Sequence, residues 1–391
     1  MRNRNDFEAM FARFKQAASI AAATALTCLA IGAVGAAHSA ESKAATRPLA
    51  VHVRTNTLID GEGKVLRLLG INRAGSEYMC LSGGGIFDGL VDAAAIAAIR
   101  AWHANAVRVP LNEDCWLGIN LGARHPDTGA AYRNAISEFV TRLNGAGLYA
   151  ILDLHWSAPG KDVANSQRPM ADADHAPAFW FSVATAFKNR SAVIFDLYNE
   201  PFVDSWPCWR DGCRVTIGGA SWRTAGMTAL VAAVRKAGAT QPIILGGLAY
   251  TSDLSRWLQY APADPLRWAK TNPVRGQPQL AAGYHSYCGP PGTSTAAACR
   301  SWLFATQARW PAVVQVAKTV PVVTGEFGEY DCATTYVEPF MKFADLHRLS
   351  YLGWAWDTYD CGGFPALIAD YAGTPTRYGI GLKRHLAAPP R

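Results

Sequence analysis

The sequence lacks several patterns by which common classes of protein are recognised. No run of five or more Lys and Arg residues occurs in its 391 residues, and the formal net charge is only +7, which argues against a nucleic-acid or membrane-surface protein. No Cys-x-x-Cys pair is present, which argues against a zinc site. No short-period repeat, low-complexity tract or long linker rich in Pro, Gly and Ser divides the chain, so one large domain is favoured.

A dinucleotide-binding fingerprint is also missing from the first strand–helix turn. The glycine-rich segment "SGGGIF" at residues 82–87 follows the first candidate strand by ten residues and has no Gly-x-Gly-x-x-Gly spacing. We interpret this segment as a loop.

The first forty residues differ from the rest of the chain. A head with four basic residues precedes an apolar, Ala-rich run over residues 17–37, and small residues follow it. This pattern predicts a secretory signal peptide over residues 1–40, with an uncleaved membrane anchor as the alternative and a lipid anchor on Cys28 as a minor one. We therefore expect a secreted or periplasmic protein with no stable membrane association after cleavage.

Eight of the nine cysteines remain once Cys28 is removed with the signal peptide. An even number of cysteines in an exported chain predicts disulfide bonds, although eight cysteines allow 105 pairings. Short separations favour Cys208 with Cys213 and Cys288 with Cys299. The remaining cysteines suggest Cys80 with Cys115 and Cys332 with Cys361.

Eight apolar segments rich in Val, Ile and Leu alternate with helical patterns. The segments begin at Leu66, Ala106, Leu148, Val193, Pro242, Ala281, Val320 and Tyr351, and helical periodicity is evident over residues 92–104, 132–147, 176–189 and 298–310. Near-continuous apolar strands alternating with helices indicate a parallel sheet that is covered on both faces. Eight such units predict a single-domain TIM (β/α)8 barrel over residues 47–391.

Polar and aromatic residues are concentrated at the ends of these strands. Glu200 lies at the end of the fourth segment and Glu326 lies in the seventh, so the two carboxyl groups are expected to face each other across the barrel mouth. One protonated and one ionised carboxyl group are what glycoside hydrolysis requires. An isolated Glu after a strand is more often a helix cap or part of a loop ion pair. The presence of two glutamates at the ends of the fourth and seventh strands is what favours a catalytic role. We interpret Asp153, on the face of His155, as structural.

The motifs "LYNEP" and "TGEFG", with "RVP", "LDLHW" and "YHSY", resemble those of glycoside hydrolase family 5, the cellulase family of retaining barrels, in order and over nearly the whole mature chain. The resemblance implies that Glu200 is the acid/base and Glu326 the nucleophile. It implies substrate-binding roles for six further residues: Arg108, His155, Asn199, His285, Tyr287 and Trp356. Trp354, on the same predicted face as Trp356, is the alternative tryptophan.

The chemistry suggests how these residues would act. Arg108 and Tyr287 would stabilise the ionised carboxylate of Glu326 by charge and hydrogen bonding, whereas burial beside a second carboxylate would keep Glu200 protonated. Asn199 would bond the 2-hydroxyl of the sugar. Trp356 would offer a flat apolar surface to a sugar ring. His155, His285 and Tyr287 have a competing interpretation as packed core residues.

The leading hypothesis is therefore retaining, internal hydrolysis of a β-1,4-linked glucan by a monomer that needs no metal or organic cofactor. Mannan, another β-glycan, an oligosaccharide or a glycolipid is the alternative substrate, because these motifs do not distinguish them. A barrel that binds carbohydrate without catalysis is a rival from another class, and the presence of both glutamates argues against it. A secreted structural protein is a weaker rival.

Overall fold

Eight parallel strands form the centre of the protein. The computed structural model describes residues 49–122, 125–289 and 295–388, so the predicted signal peptide lies outside the described residues. The strands are β1 (Val51–Arg54), β2 (Thr57–Asp60), β3 (Val65–Leu66), β4 (Leu69–Asn72), β5 (Ala106–Asn112), β6 (Tyr149–Trp156), β7 (Val193–Asp196), β8 (Arg214–Ile217), β9 (Ala220–Arg223), β10 (Ile243–Gly246), β11 (Leu280–Tyr287), β12 (Val322–Gly328) and β13 (Ser350–Gly353).

The sheet closes on itself in the order β10-β11-β12-β13-β4-β5-β6-β7, and every adjacent pair is parallel. The closing pair joins Tyr351 to Leu69 and Leu352 to Gly70. These eight strands are the eight predicted segments, so the predicted (β/α)8 barrel is confirmed. The strand in the fourth segment is shorter than the apolar run, because β7 ends at Asp196 and Glu200 lies four residues beyond it.

Barrel strands are buried on both faces, which explains their continuous apolar sequence. The antiparallel sheet β1–β3 covers one end of the barrel. Val51, Val53 and Leu58 pack against residues at the starts of the barrel strands, including Ala106 and Tyr149. This apolar plug closes the amino-terminal end, and the carboxyl ends of the strands are left to form the site.

The helices that cover the barrel are α1 (Met79–Ser82), α2 (Ala93–Arg100), α3 (Glu113–Leu117), α4 (Ala130–Gly145), α5 (Ala176–Phe187), α6 (Trp206–Asp211), α7 (Gly226–Lys236), α8 (Trp257–Tyr260), α9 (Ala296–Gln307), α10 (Trp310–Ala317), α11 (Val337–Leu346) and α12 (Arg377–Ala387). The four predicted helical patterns correspond to α2, α4, α5 and α9. At the start of α2, the Asp92 carboxylate accepts a hydrogen bond from the Ala95 amide and caps the helix.

Four disulfides cross-link the described residues, with the predicted partners: Cys80–Cys115, Cys208–Cys213, Cys288–Cys299 and Cys332–Cys361. All eight cysteines follow the carboxyl ends of barrel strands rather than preceding their starts. Cys80–Cys115 joins the segments after β4 and β5, and Cys332–Cys361 joins those after β12 and β13. The covalent constraints therefore act on the loops that surround the barrel mouth. No helix of the described residues is long and apolar enough to cross a membrane.

Candidate active site

Arg108, at the third position of β5, is the centre of the polar residues in the barrel. Its guanidinium is fully buried and forms ion pairs with Asp153 at 3.0 Å, Asp196 at 2.9 Å and Glu326 at 2.5 Å. Burial alone would lower the pKa of Arg108, but these three carboxylates together raise it above its ordinary value. Arg108 is therefore a permanent positive charge at the floor of the mouth.

The same guanidinium orients two amides. Its Nη2 donates to Oδ1 of Asn199 at 3.0 Å, and its Nη1 donates to Oδ1 of Asn72 at 3.1 Å. Asn72 in turn donates from Nδ2 to the carbonyl of Gly325, the residue before Glu326, at 2.9 Å. One buried side chain thus fixes groups from four strands and the loop after β7 in a single hydrogen-bonded array.

Glu326 lies in β12, and its two carboxylate oxygens have different donors. Oε1 accepts from Arg108, and Oε2 accepts from the hydroxyl of Tyr287 at 2.6 Å. A cation and a phenol donor both stabilise the ionised carboxylate. Burial, followed by the charge of Glu326, raises the pKa of Tyr287 well above its ordinary value, so the phenol remains a donor.

Glu200 lies in the loop after β7 with a left-handed backbone, φ 51°. Non-glycine residues adopt this conformation at a cost, and such residues are concentrated at functional sites. Gln167 supports this loop, because its Nε2 donates to the carbonyls of Asn199 at 2.5 Å and Glu200 at 3.2 Å. The carboxyl group is partly exposed, with 21% of the side chain accessible, and it faces His285 at 3.2 Å.

The two glutamates and His285 are close together. Ligand atoms of Glu200, His285 and Glu326 all lie within 4.8 Å of one another. Burial lowers the pKa of His285 to about 4, with Arg108 adding to the effect against the charge of Glu326, so the imidazole is neutral at moderate pH. Two carboxylates and an imidazole at this spacing are able to hold a metal ion. The positive charge of Arg108, which contacts Glu326, repels a second cation at this position.

His155 contacts Asp153 and Asn199, two of the residues that also contact Arg108. Its Nδ1 lies 2.7 Å from Oδ2 of Asp153, and its Nε2 lies 3.4 Å from Nδ2 of Asn199. Burial lowers the pKa of His155 to about 4, and burial raises the pKa of Asp153 to about 7. Asp153 thus pairs with Arg108 and orients His155, which agrees with its structural interpretation.

The prediction for the tryptophan was wrong, because the aromatic side chain beside these groups is Trp354 and not Trp356. The Trp354 ring stacks on His155, with centroids 5.3 Å apart and an interplanar angle of 14°. Trp356 is fully buried and packs edge-on against Trp102 at 4.8 Å in the core. The prediction assumed that Trp354 and Trp356 lie in a strand and therefore point to the same face. Strand β13 ends at Gly353, so both residues lie beyond it and the alternation of strand faces does not apply to them.

The structure brings seven of the eight predicted residues together at the mouth: Arg108, His155, Asn199, Glu200, His285, Tyr287 and Glu326. Sequence reasoning missed three of their partners. Asp196 and Asn72 were detectable as polar residues at the last positions of buried strands. Gln167 lies in a loop, where no periodicity marks it.

Comparison with known proteins connects this geometry to a family. The family model described as Cellulase (glycosyl hydrolase family 5) matches residues 72–360. A mannan endo-1,4-beta-mannosidase from Streptomyces lividans is 24% identical over 311 residues, covering 78% of this chain and 66% of the relative. The endoglucanase MaCel5A from a Microbulbifer species is 26% identical over 160 residues, covering 40% of this chain and 27% of the relative. The chain thus spans less than two thirds of either relative.

Solved structures show the same fold. A beta-glucanase from Saccharophagus degradans in complex with cellotetraose has a TM-score of 0.62 at 20% identity, covering 88% of this chain and 94% of that one. The catalytic domain of an endoglucanase from Thermobifida fusca has a TM-score of 0.57 at 16% identity, covering 86% and 97%. At these identities, the likeness establishes the barrel architecture.

Proposed function

Since the chain belongs to glycosyl hydrolase family 5, we propose that it is a secreted retaining glycoside hydrolase that cleaves internal β-1,4 bonds of a β-glucan. One observation carries the proposal. A carboxylate oxygen of Glu200 and one of Glu326 lie within 4.8 Å of each other. Retaining enzymes hold their two carboxyl groups about 5 to 5.5 Å apart, whereas inverting enzymes separate them by about 6.5 to 9.5 Å to admit a water molecule.

The first chemical step forms a covalent glycosyl-enzyme. A carboxylate oxygen of Glu326 attacks the anomeric carbon, the glycosidic bond breaks, and Glu200 gives its proton to the departing oxygen. Arg108 and Tyr287 hold Glu326 in one orientation for this attack, which supports its assignment as nucleophile.

The second step releases the sugar. Glu200, now ionised, takes a proton from water as the water oxygen attacks the anomeric carbon, and Glu326 departs as a carboxylate. The position of Glu200 in a loop, partly open to solvent, is suited to exchanging protons with water. In this proposal Asn199 bonds the 2-hydroxyl of the sugar, and its hydrogen bonds with Arg108 and Gln167, which fix the amide, support that role.

Proton NMR of the first product tests this mechanism. A β-linked substrate should release the β-anomer first, because two inversions restore the configuration. Initial release of the α-anomer would contradict double displacement.

A chelating agent tests whether the reaction needs a metal ion. Turnover should survive chelation, since neither step requires a metal ion. Loss of activity on chelation, and its return when a divalent cation is added, would contradict that part of the proposal.

The substrate remains a choice between two β-glycans. Glucan is favoured by the endoglucanases among the similar proteins, and mannan is the second candidate because the mannosidase match covers the larger share of this chain. A reducing-sugar assay on soluble β-glucan, mannan, xylan and short oligosaccharides decides between them. The highest kcat/KM on β-1,4-glucan is expected, and the highest value on mannan would support the second candidate.

Export is the remaining part of the proposal. Residues 1–40 act as a signal peptide, residues 47–391 form the catalytic barrel, and the mature protein is a monomer. Four disulfides support an oxidising compartment, since such bonds are rare in reducing ones. Mass spectrometry of the protein recovered outside the cytoplasm should give an amino terminus near residue 40. A mature protein that retains residue 1 would contradict the cleavage.

A further inference from the structure

The side-chain amide of Gln167, in the loop after β6, is bonded at both ends to the segment that carries Glu200. Its Nε2 donates to the backbone carbonyls of Asn199 at 2.5 Å and of Glu200 at 3.2 Å. Its Oε1 accepts from Nδ2 of Asn199 at 3.1 Å. One side chain from the loop after β6 thus binds both the backbone and a side chain of the loop after β7.

The chemistry of the partners fixes which end of each amide faces which group. Carbonyl oxygens only accept hydrogen bonds, so the NH2 end of Gln167 must face the two carbonyls. The oxygen end then faces Asn199, whose own NH2 must point toward it. Arg108 only donates, so its bond of 3.0 Å to Asn199 requires the oxygen of that amide. Neither amide can turn over without losing these bonds.

The loop that carries Gln167 is also anchored through its backbone. The hydroxyl of Tyr198, a buried residue, donates to the carbonyl of Arg168 at 2.9 Å. The amide of Phe202 donates to the carbonyl of Pro169 at 2.8 Å. These bonds join the two residues that follow Gln167 to residues on either side of the proposed acid/base. The Gln167 side chain therefore loses little freedom when its amide bonds there.

The two carbonyls that Gln167 binds flank the strained residue of the site. Glu200 has a φ of 51°, a left-handed conformation that residues with side chains adopt at a cost. Successive carbonyls point the same way in a helical backbone and opposite ways in an extended one. One donor group that bonds both carbonyls therefore favours the helical form. Relaxation of Glu200 to extended backbone would turn one carbonyl away from the donor.

We propose that Gln167 is the positioning residue that keeps Glu200 in this left-handed conformation, and so keeps its carboxyl group beside the departing oxygen. The inference rests on the proposed function, in which Glu200 gives its proton to the leaving group. Without these bonds the carboxyl group should move away, while Arg108 and Tyr287 still hold Glu326. Protonation of the leaving group is then the step that slows.

Two substrates that differ in their need for an acid test this role. The leaving sugar of cellotetraose must be protonated, whereas dinitrophenyl β-cellobioside releases a phenolate that needs no proton. Gln167→Met keeps the length of the side chain and removes both ends of the amide. This variant should lower kcat/KM about tenfold or more on cellotetraose and about twofold or less on the aryl cellobioside, measured on the folded fraction.

Gln167→Glu tests the donor within one folded protein. The introduced carboxyl group donates to a carbonyl only while it is protonated. The ratio of kcat/KM on cellotetraose between this variant and the unchanged protein should therefore be highest near about pH 4 and should fall as the pH rises to about 7. A ratio that stays low at every pH would overturn the inference, because the donor would then not be what holds Glu200.

Gln241 offers a matched control. Its Nε2 also donates to two backbone carbonyls, those of Phe187 at 2.7 Å and Arg190 at 3.2 Å, and its Oε1 accepts from a backbone amide at 3.0 Å. Gln241 precedes β10, at the amino-terminal end of the barrel. Gln241→Met should therefore lower the free energy of unfolding and change kcat/KM on neither substrate.

Two further results of Gln167→Met would overturn the inference. Equal losses on both substrates would show general damage to the site rather than a displaced acid. Unchanged kcat/KM on cellotetraose would show that Glu200 keeps its position without Gln167. A failure of the proposed function is distinguishable from both, because the unchanged protein would then hydrolyse neither substrate nor their mannose counterparts, and this inference would fall with it.

Discussion

Arg108 Nη1 lies 2.5 Å from Oε1 of Glu326, and both side chains are buried. A guanidinium at this distance stabilises the ionised carboxylate and fixes its orientation. The same guanidinium pairs with Asp153 and Asp196, so the charge in the barrel is balanced by several groups rather than by one pair. In the proposed mechanism Arg108 is therefore a positioning residue, and its loss should affect both folding and turnover.

Replacement of Arg108 by Lys should lower both activity and stability. An ammonium cannot donate in the planar fork that meets Asp196, Asn199 and Glu326 at once. Buried carboxylates left without their partner destabilise a protein by about 3 to 5 kcal/mol, and a misplaced nucleophile should lower kcat by about 100-fold. Urea unfolding and kcat measured on the folded fraction check the two effects.

Arg235→Lys is the matched control for Arg108→Lys. Arg235 is also a buried arginine, paired with Asp264 at 2.9 Å, but it lies in α7 away from the mouth. Arg235→Lys should lower the free energy of unfolding without changing kcat. Equal kcat losses in the two variants would contradict a positioning role for Arg108.

Alanine substitution should separate the roles of the two glutamates. Glu326→Ala should abolish turnover of every substrate, because no glycosyl-enzyme can form without the attacking carboxylate. Glu200→Ala should retain the first step on a substrate with an activated aryl leaving group, which needs little protonation, and should lose the second step.

Added azide shows which glutamate is the acid/base and which is the nucleophile. Azide attacks without a general base, so it should restore turnover to Glu200→Ala and give a β-glycosyl azide. In Glu326→Ala, azide should attack the anomeric carbon from the side that the Glu326 carboxylate occupied, and should give the α-glycosyl azide. Reversed anomers would mean that the two roles are exchanged, and near-normal activity in both variants would remove both residues from the mechanism.

Substitution of the two tryptophans should have opposite effects. Trp354→Ala removes a ring stacked on His155 at the mouth, so kcat/KM should fall about tenfold or more. Trp356→Phe shrinks a fully buried side chain, so it should lower the free energy of unfolding by about 1 to 2 kcal/mol and leave kcat/KM of the folded protein unchanged. Loss of substrate binding in Trp356→Phe without loss of stability would contradict this assignment.

The disulfides should contribute unequally to stability. The 80–115 bridge closes a sequence separation of 35 and the 208–213 bridge one of 5. By restricting the unfolded chain, bridges of these lengths should stabilise the folded protein by about 4 kcal/mol for 80–115 and about 2 kcal/mol for 208–213. Replacing each cysteine pair by serines and measuring urea unfolding should therefore show the larger loss for the 80–115 pair. A larger loss for the 208–213 pair would show that loop closure does not dominate.

Asp114 should make stability depend on pH. The buried carboxyl accepts from the amide of Ala164 and from Nδ2 of Asn120, yet burial outweighs these bonds and raises the pKa of Asp114 from 3.8 to about 6. Between these values the folded protein binds more protons than the unfolded chain, so this contribution to stability falls as pH rises.

Asp114→Asn removes this titration. The free energy of unfolding of the unchanged protein, relative to the variant, should fall by about 2 to 3 kcal/mol from pH 4 to pH 7. Asp162→Asn, at an acid whose side chain is 56% exposed, is the matched control for the loss of one carboxyl group. A difference that stays constant with pH for Asp114→Asn would show that the carboxyl does not titrate in this range.

Hydrophobic patterning was sufficient to predict the eight strands and the barrel, and the resemblance of the motifs to glycoside hydrolase family 5 implied the seven residues that meet at its mouth. The reason is physical. Strands of a closed parallel barrel bury both faces, so their apolar runs are long, and their carboxyl ends meet in one place whatever the intervening loops do. The sequence alone therefore predicts that Glu326, in β12, lies across the barrel mouth from the end of the fourth strand.

Features beyond the strand ends required the folded chain. Trp354 and Trp356 are two residues apart, yet one lies at the mouth and the other in the core, because alternation does not continue past Gly353. The left-handed backbone of Glu200 and the Gln167 bonds to its loop depend on contacts between segments distant in sequence. Loop backbones are set by such long-range contacts rather than by a local period.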